Sequence, residues 1–426
     1  MFLFTLGFIL CVIGMLITTF LTFKTKNLIS PQMFLFAGVL IFLYLPAVAN
    51  NFSLTDTTFN AIIFIGILGC FVASAIFPYN ILDRNQKKER EIPIKIFKYG
   101  AIIYMLVLSY EIVHTIMEKG SIMAVFLSNR LDSYLGDDIA ENGSPLRALM
   151  FEGLKIFFYY YVNYLFCNGK KGRAVAMFLV PMIHHRFTAI TRYDFLAMAG
   201  ALLIFWLDQR LYDSKKQEEG KKKGIDFFKV VLIGIVGVYC ALLFMKTANL
   251  TRHGLGNERF DISYSSLLMD EFATDANYYE YLYDLTKAVD DGTYPLEFGT
   301  AWFYYPFVNM VPRAIWHDKP YTSFSVRGTE GVYWSYDSGN PVVTFTLFGE
   351  GYAQFGLWGV FICPLIFLGC RFVNFKQAKR MKYNKLYILI IMFSLLTYMR
   401  AEAPVFHMLI DGMWLWLIQR FLLKKT

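Results

Sequence analysis

The chain has 426 residues, of which 56% are hydrophobic, 18% aromatic and only 17% charged. Soluble domains contain about 45–50% apolar and about 25% charged residues, so this composition excludes an ordinary soluble protein. The net charge of +8 comes mainly from lysines between apolar runs, which indicates membrane topology rather than nucleic-acid binding. The six cysteines lie in or beside apolar runs without a CxxC motif, so neither a disulfide framework nor a zinc site is predicted.

Recurrent runs of about 20 apolar residues predict an all-α, polytopic membrane protein. The first run, Phe2–Phe23, has no basic segment before it and no cleavage site after it, so it is interpreted as an uncleaved span. We predict eleven spans, within a range of ten to twelve, at residues 2–23, 33–49, 59–79, 97–117, 148–167, 174–187, 194–208, 229–246, 353–372, 386–399 and 404–422. They divide the chain into an N-terminal bundle (1–246), a large extracytoplasmic loop (247–352) and a C-terminal bundle (353–426).

The basic residues predict the orientation of the spans. Alternate loops hold 27 of the 41 lysines and arginines, among them the segments 84–98, 210–229 and 371–385. The positive-inside rule places these loops in the cytoplasm, the N-terminus outside and the C-terminus inside. The outer loops contain 9 arginines and 4 lysines. Arginine retained on the disfavoured side suggests phosphate binding, because its planar fork binds phosphate through two hydrogen bonds, although pairing with outer carboxylates is an equal alternative.

Two parts of the large outer loop are predicted to be ordered. Residues 265–289 have apolar residues at helical spacing, including Leu268, Phe272, Tyr279 and Leu282. The following segment, FGTAWFYYPFVNMVPRAIW, is aromatic and apolar but is interrupted by two prolines. It is predicted to lie in the membrane interface or to re-enter the membrane rather than to span it.

The segment HHRFTAITRYD joins the predicted sixth and seventh spans and contains two histidines and two arginines. His184 and His185 are adjacent, so they point about 100° apart on a helix, and no third ligand is evident for a metal. Arg192 with Asp194 at a span entrance fits a phosphate-binding cation with its orienting carboxylate, or an ordinary interfacial ion pair. Arg186 in the same segment is a further cation.

The segment PRAIWHDKP follows the aromatic stretch. Pro312 and Pro320 restrict its backbone, Trp316 is expected at headgroup level, and Arg313 and Lys319 lie on either side of it. Anchoring to lipid headgroups explains this pattern as well as substrate binding does.

The segment FGEGYAQFG precedes the predicted ninth span. Gly349, Gly351 and Gly356 surround Glu350 and Tyr352, and glycine lets a backbone approach a ligand or another helix closely. Helix packing would explain the glycines, but a carboxylate at that depth costs several kcal/mol unless it is paired or functional.

Ionisable residues also occur inside predicted spans. His407 and Asp411 lie four residues apart and share one helical face below Arg400. Glu152 and Lys155 are simplest to explain as a structural salt bridge, although proton-coupled transport also uses such pairs.

These features together resemble one known family. An arginine at the mid-chain junction (Arg192), a long outer loop ending PR-x-I-W-x-x-K-P at 312–320, and G-E-x-Y-A-x-F-G at 349–356 resemble bacterial O-antigen polymerases. More broadly, the chain is similar to the oligosaccharide repeat-unit polymerases of surface polysaccharide assembly. The resemblance covers most of the chain in architecture but specific residues only in these segments.

The resemblance implies a GT-C-like glycosyltransferase of the bacterial inner membrane, active on the periplasmic side. It would transfer a growing glycan from undecaprenyl diphosphate to the next lipid-linked repeat unit, without a metal or cofactor. Besides these substrates and membrane lipid, a chain-length regulator protein is a candidate partner.

Roles for individual residues follow from that chemistry. A base must take the proton of the acceptor hydroxyl, and Glu350 is the first candidate, with Asp194 second. Positive charge must meet the departing diphosphate. The predicted catalytic residues are Glu350, Arg313, Arg192 and Asp194. The predicted substrate-binding residues are Lys319, Arg400, Tyr352, Trp316, Arg186, His407 and Arg327.

Two other functions remain open on the sequence. An O-antigen ligase would use a similar donor but transfer the glycan to lipid A-core. A lipid-linked oligosaccharide flippase or other transporter would be expected to have internal repeats and substrate groups near the midplane. The prominent charges lie mainly at the outer ends of spans, which favours an enzyme.

Overall fold

A computed structural model describes residues 2–25, 27–49, 56–79, 90–121, 145–187, 192–212, 278–311, 315–333, 343–400 and 405–423. Over these ranges the chain is helical, apart from loops and one isolated β-bridge between Arg90 and Met381. The predicted all-α class is therefore confirmed for the described part of the chain.

The helices follow the predicted apolar runs closely. They are α1 (Phe2–Lys24), α2 (Pro31–Ala49, with a π-helical turn at Leu40–Tyr44), α3 (Thr57–Ile76), α4 (Ile94–Lys119), α5 (Pro145–Cys167), α6 (Lys171–Phe187), α7 (Arg192–Tyr212), α8 (Tyr278–Asp290), α9 (Tyr305–Met310), α10 (Phe324–Val332), α11 (Thr346–Ala378), α12 (Lys385–Arg400) and α13 (Val405–Leu417). A π-helical turn, Thr300–Tyr304, precedes α9, and another, Ile418–Leu422, continues α13.

Five of the described helices, α1, α2, α3, α4 and α11, are long and apolar enough to cross a membrane. They support the prediction of a membrane protein. Shorter apolar helices occupy the predicted spans at 194–208 and 386–399. The predicted span at 229–246 lies outside the described residues.

The start of α2, the end of α3, the segment before α4 and the turn after α11 lie together at one end of the helical bundle. Gln32, at the start of α2, donates a hydrogen bond of 2.9 Å to the carbonyl of Phe77 beyond the end of α3. Arg90 pairs with Met381 in the β-bridge, which joins the segment before α4 to the turn after α11. We call this the base end of the bundle.

The described part of the large loop packs on the opposite end, which we call the loop end. Lys287 of α8 forms an ion pair with Asp56, the residue that caps the start of α3. The Glu297 amide donates a hydrogen bond of 2.9 Å to the carbonyl of Ala353. Among the described residues, residues 278–297 of the large loop and the basic segments at 90–98 and 376–385 therefore lie at opposite ends of the bundle.

Helix α8 forms the inner layer of the loop. Tyr279 and Leu282, two residues of the predicted apolar pattern, are buried, and Tyr279 packs against Phe4 and Phe59 at the entrances of α1 and α3. The predicted pattern residue Leu268 and its neighbours up to 277 lie outside the described residues.

The aromatic segment after α8 is a broken helix with exposed rings. A π-helical turn leads into the six-residue α9, and Pro306 lies at its start. Phe298 is 72% exposed, and Phe303 and Phe307 are each 63% exposed. A broken helix with outward aromatic rings fits the predicted interfacial segment better than a span.

Helix α11 differs from the predicted ninth span because its chain reverses direction. Phe355 and Gly356 have non-helical dihedrals, and Gly356 has φ 59°, which favours glycine. A Cβ atom at Gly359 would lie 1.9 Å from the carbonyl oxygen of Gly351. Residues eight apart in a continuous helix are separated by about 12 Å, so residues 346–354 must fold back on 357–378. We call residues 346–354 the re-entrant helix.

The close approach of the two glycines makes a clear prediction. Gly359→Ala should destabilise the fold by about 1–3 kcal/mol, at the upper end of that range because the obstructing atom is a backbone oxygen. Gly172→Ala is the matched control, since nothing lies within 4 Å of its Cβ position. Thermal unfolding of the purified variants in detergent would measure both. Equal unfolding temperatures would contradict the folded-back arrangement.

Candidate functional site

Glu350 lies on the re-entrant helix and faces the inside of the bundle. It is 1% exposed, and the Trp302 indole N–H donates a hydrogen bond of 2.7 Å to its Oε1. Trp302 belongs to the π-helical turn before α9 and is itself buried. A carboxylate removed from water in this way needs such donors to remain stable.

Glu297 is a second carboxylate beside the re-entrant helix, and the sequence did not single it out. The Arg327 Nε and Nη2 atoms donate hydrogen bonds to its two oxygens at 3.0 and 2.8 Å. The Tyr294 hydroxyl donates to Oε1, and Gln354 Nε2 donates to Oε2 at 2.6 Å. One carboxylate therefore binds the preceding loop, α10 and the re-entrant helix.

Gln354 connects this carboxylate to the segment that contacts Glu350. Its Oε1 accepts a hydrogen bond of 3.2 Å from the Ala301 amide, next to Trp302. Gln354 also follows Glu350 by four residues, which places both on one face of the re-entrant helix. This spacing was visible in the sequence and could have identified Gln354. Glu297 carried a weaker signal, a lone carboxylate between Pro295 and Gly299 in an apolar stretch.

The Arg327 guanidinium makes several contacts within this group of residues around Glu297. Besides Glu297 it donates to the Tyr321 carbonyl at 3.1 Å, and it lies 4.0 Å from the centre of the Tyr305 ring. Its side chain is only 12% exposed. These contacts support a structural role for Arg327, which the sequence predicted to bind substrate.

The ion pair predicts a pH dependence of stability. Burial raises the pKa of Glu297, but the hydrogen bonds and charge of Arg327 outweigh it, so the pKa lies below the ordinary value of about 4.3. The unfolded chain therefore takes up this proton first as the pH falls. The stabilisation is present above the ordinary value and is lost as the pH falls through the lowered one. Wild type should lose more thermal stability than Glu297→Gln as the pH falls from about 5 to about 3, and equal losses would contradict this assignment.

Two predicted substrate-binding residues at the loop end, Tyr352 and Lys319, have structural contacts, and a third, Trp316, is partly exposed. The Tyr352 hydroxyl donates to Asp290 at the end of α8, and the ring is largely buried. Lys319 donates to the carbonyls of Asn309 and Val311 at 3.4 and 3.0 Å, which satisfies the end of α9. Trp316 is 36% exposed, and its predicted position at headgroup level stays a prediction.

Two further predicted residues have contacts with other elements. The Arg400 guanidinium lies 5.7 Å from the centre of the Tyr278 ring at the start of α8, and His407 lies 3.8 Å from Glu152 of α5. The side chains of Arg186, Arg192 and Asp194 and the whole of Arg313 lie outside the described residues, although the backbone of Arg192 begins α7. Their predicted convergence with Glu350 therefore stays a prediction.

A separate cluster of charges lies between α5, α11 and α13. Arg371 is 1% exposed and donates a hydrogen bond of 2.7 Å to Asp411. Lys155 pairs with Glu152 at 3.0 Å, as predicted, and His407 lies 3.8 Å from Glu152. The assignment of Arg371 to a basic loop was wrong, because this residue is buried inside α11.

Two ionisable residues of α4 also have charged or titratable partners. Glu111 contacts His184 of α6 at 2.5 Å. His114 lies 3.4 Å from Glu118, one turn further along α4. Within the described ranges, no group of three or more His, Cys, Asp or Glu residues could hold a metal ion.

Comparisons of this chain with protein-family models, curated protein sequences and solved structures find no match. The family resemblance therefore rests on the sequence alone, through the span pattern and the residues of the three segments.

Proposed function

We propose that this protein is a glycosyltransferase that joins undecaprenyl-diphosphate-linked oligosaccharide repeat units into a surface polysaccharide. The observation that carries the proposal is the position of Glu350. It lies on the re-entrant helix, accepts a hydrogen bond from Trp302, and adjoins the broken aromatic helix, which has exposed phenylalanine rings. A carboxylate in this position would serve as the base for the acceptor hydroxyl, and the exposed aromatic rings beside it fit contact with a lipid-linked substrate.

In the proposed reaction Glu350 takes the proton of the acceptor sugar hydroxyl. That oxygen attacks the anomeric carbon of the growing glycan, and the bond from this carbon to undecaprenyl diphosphate breaks. The departing diphosphate carries the negative charge away and requires cations. Of the four cations predicted for this role, Arg192, Arg313 and Arg400 remain candidates, and Lys319 already donates to the carbonyls of Asn309 and Val311. The acceptor reaches Glu350 by displacing the Trp302 indole, which occupies the carboxylate in this structure.

The proposal includes a GT-C-like arrangement of about eleven spans in the bacterial inner membrane. The loop end would face the periplasm, which places the N-terminus outside and the C-terminus in the cytoplasm. The basic segments at the base end support this orientation through the positive-inside rule. A ligase acting on lipid A-core would use the same parts and differs only in its acceptor.

A transporter of lipid-linked oligosaccharide is the second candidate, and the buried charge cluster favours it. Paired charges between spans are typical of proton-coupled carriers, and here two acidic and two basic residues meet between α5, α11 and α13. These ion pairs would also stabilise the packing of three helices in an enzyme, so the cluster is compatible with both a transporter and a glycosyltransferase.

The glycan length on the lipid carrier in cells that lack this protein tests the proposal. A polymerase defect leaves single repeat units on the carrier at the periplasmic face, and the intact chain restores long glycans. A ligase defect leaves long glycans on the carrier instead. A transport defect leaves single units at the cytoplasmic face, which would overturn the proposal.

A further inference from the structure

Glu297 makes more polar contacts than a simple ion pair requires. A carboxylate has about four acceptor positions, and four donors fill them here. Oε1 accepts from Arg327 Nε and the Tyr294 hydroxyl, and Oε2 accepts from Arg327 Nη2 and Gln354 Nε2. With all four positions filled, Glu297 has no capacity left for a substrate hydroxyl or its proton, so it is not itself a base.

The re-entrant helix depends on outside contacts for its orientation. Its nine residues span only about 13 Å, and helices of this length are not stable by themselves in water. On one side the contact of Gly351 with Gly359 holds it against residues 357–378. On the other side the Gln354 side chain and the Ala353 carbonyl bind Glu297.

These contacts form a continuous path to the proposed base. Glu297 binds Gln354, Gln354 binds the Ala301 amide, and the adjacent Trp302 donates to Glu350. The position of Glu350 relative to Trp302 is therefore fixed at both ends, by the helix that carries Glu350 and by the turn that carries Trp302.

We infer that Glu297 is a positioning residue of the proposed site and acts on Glu350 through Gln354. Arg327 holds the Glu297 carboxylate in place, and Gln354 transmits its position to the re-entrant helix. This inference rests on the proposed function only for its catalytic consequence. The positioning itself is a property of the fold.

Two substitutions that each remove a donor from Glu297 separate positioning from general stability. Gln354→Met keeps the side-chain length but cuts the link to the re-entrant helix, whereas Tyr294→Phe removes a donor from the preceding loop. Gln419→Met is the matched control, because Gln419 donates a hydrogen bond of 2.8 Å to the Gln377 carbonyl away from the site. The full-length variants are compared in proteoliposomes by chain-extension kinetics, and in detergent by hydrogen exchange of peptides covering 346–354.

Gln354→Met should lower kcat at least tenfold with KM within twofold of wild type, and should speed exchange in the re-entrant helix at least tenfold. Tyr294→Phe should lower kcat threefold or less, and Gln419→Met should match wild type in both measurements. Equal kcat losses in Gln354→Met and Tyr294→Phe, or unchanged exchange in Gln354→Met, would overturn the inference. If wild type extends no glycan, the proposed function fails, and the exchange data still decide the positioning.

Discussion

Replacing Glu350 by glutamine is expected to reduce glycan chain extension by about 10²–10⁴-fold, the usual contribution of a general base. Glutamine keeps the size of the side chain and can still accept the Trp302 hydrogen bond. The substitution therefore removes the proton acceptor with little change in packing, and the amount of protein in the membrane should stay at the wild-type level. Quantified glycan length per unit of protein is the measurement.

Glu330→Gln is the matched control for this substitution. Glu330 is an exposed glutamate on α10 and lies away from the Trp302 contact. It should extend glycan at the wild-type rate. Normal polymer from Glu350→Gln would remove Glu350 from the mechanism and leave Asp194 as the remaining candidate base.

Breaking the buried ion pair between α11 and α13 is expected to have the largest effect on stability. Arg371→Met should cost about 3–5 kcal/mol, because it leaves the Asp411 carboxylate without its closest cation in a site that water does not reach. The double variant Arg371→Met with Asp411→Leu should recover most of the loss, since removing both charges also removes their desolvation cost. The midpoint of thermal unfolding in detergent, compared among wild type, Arg371→Met and the double variant, measures these differences in stability.

The exposed pair of Lys382 and Glu91 at the base end provides the control. It has a similar N–O distance, 2.6 Å, but both side chains are well exposed to their surroundings. Lys382→Met should change the free energy of unfolding by less than about 1 kcal/mol. An Arg371→Met protein as stable as Lys382→Met would mean that the buried pair contributes nothing.

The course of the helices could be predicted from the sequence because each apolar run has to satisfy its own backbone hydrogen bonds. This requirement acts locally, so α3 and α12 begin and end within a few residues of the predictions at 59–79 and 386–399. The shared helical face of Tyr279 and Leu282 could likewise be predicted from their spacing in the sequence. The pairing of Glu152 with Lys155 followed from their spacing of three residues.

The reversal of the chain at Gly356 could not be predicted from neighbouring residues alone. The sequence placed glycines around Glu350, but whether they permit a turn or close helix packing depends on which residues meet, and the structure shows that they do both. The partners of Glu297 are 30 and 57 residues away along the chain. A single sequence contains no signal that joins such residues, and this is why Arg327 was predicted to bind substrate.

Whether a charged side chain is buried or exposed was equally hard to predict. Arg371 stands at the end of an apolar run, where a solvated cation and a buried one look the same in sequence. Only the packing of α13, which brings Asp411 to it, decides between them.

The central claim is that this protein extends lipid-linked glycans, and purified protein in proteoliposomes tests it most directly. Defined lipid-linked repeat units are supplied, and both glycan length and movement of the lipid across the bilayer are followed. A polymerase should produce glycans of many repeat units without net translocation, and Glu350→Gln should produce none. Translocation of single units without any increase in glycan length would contradict this claim.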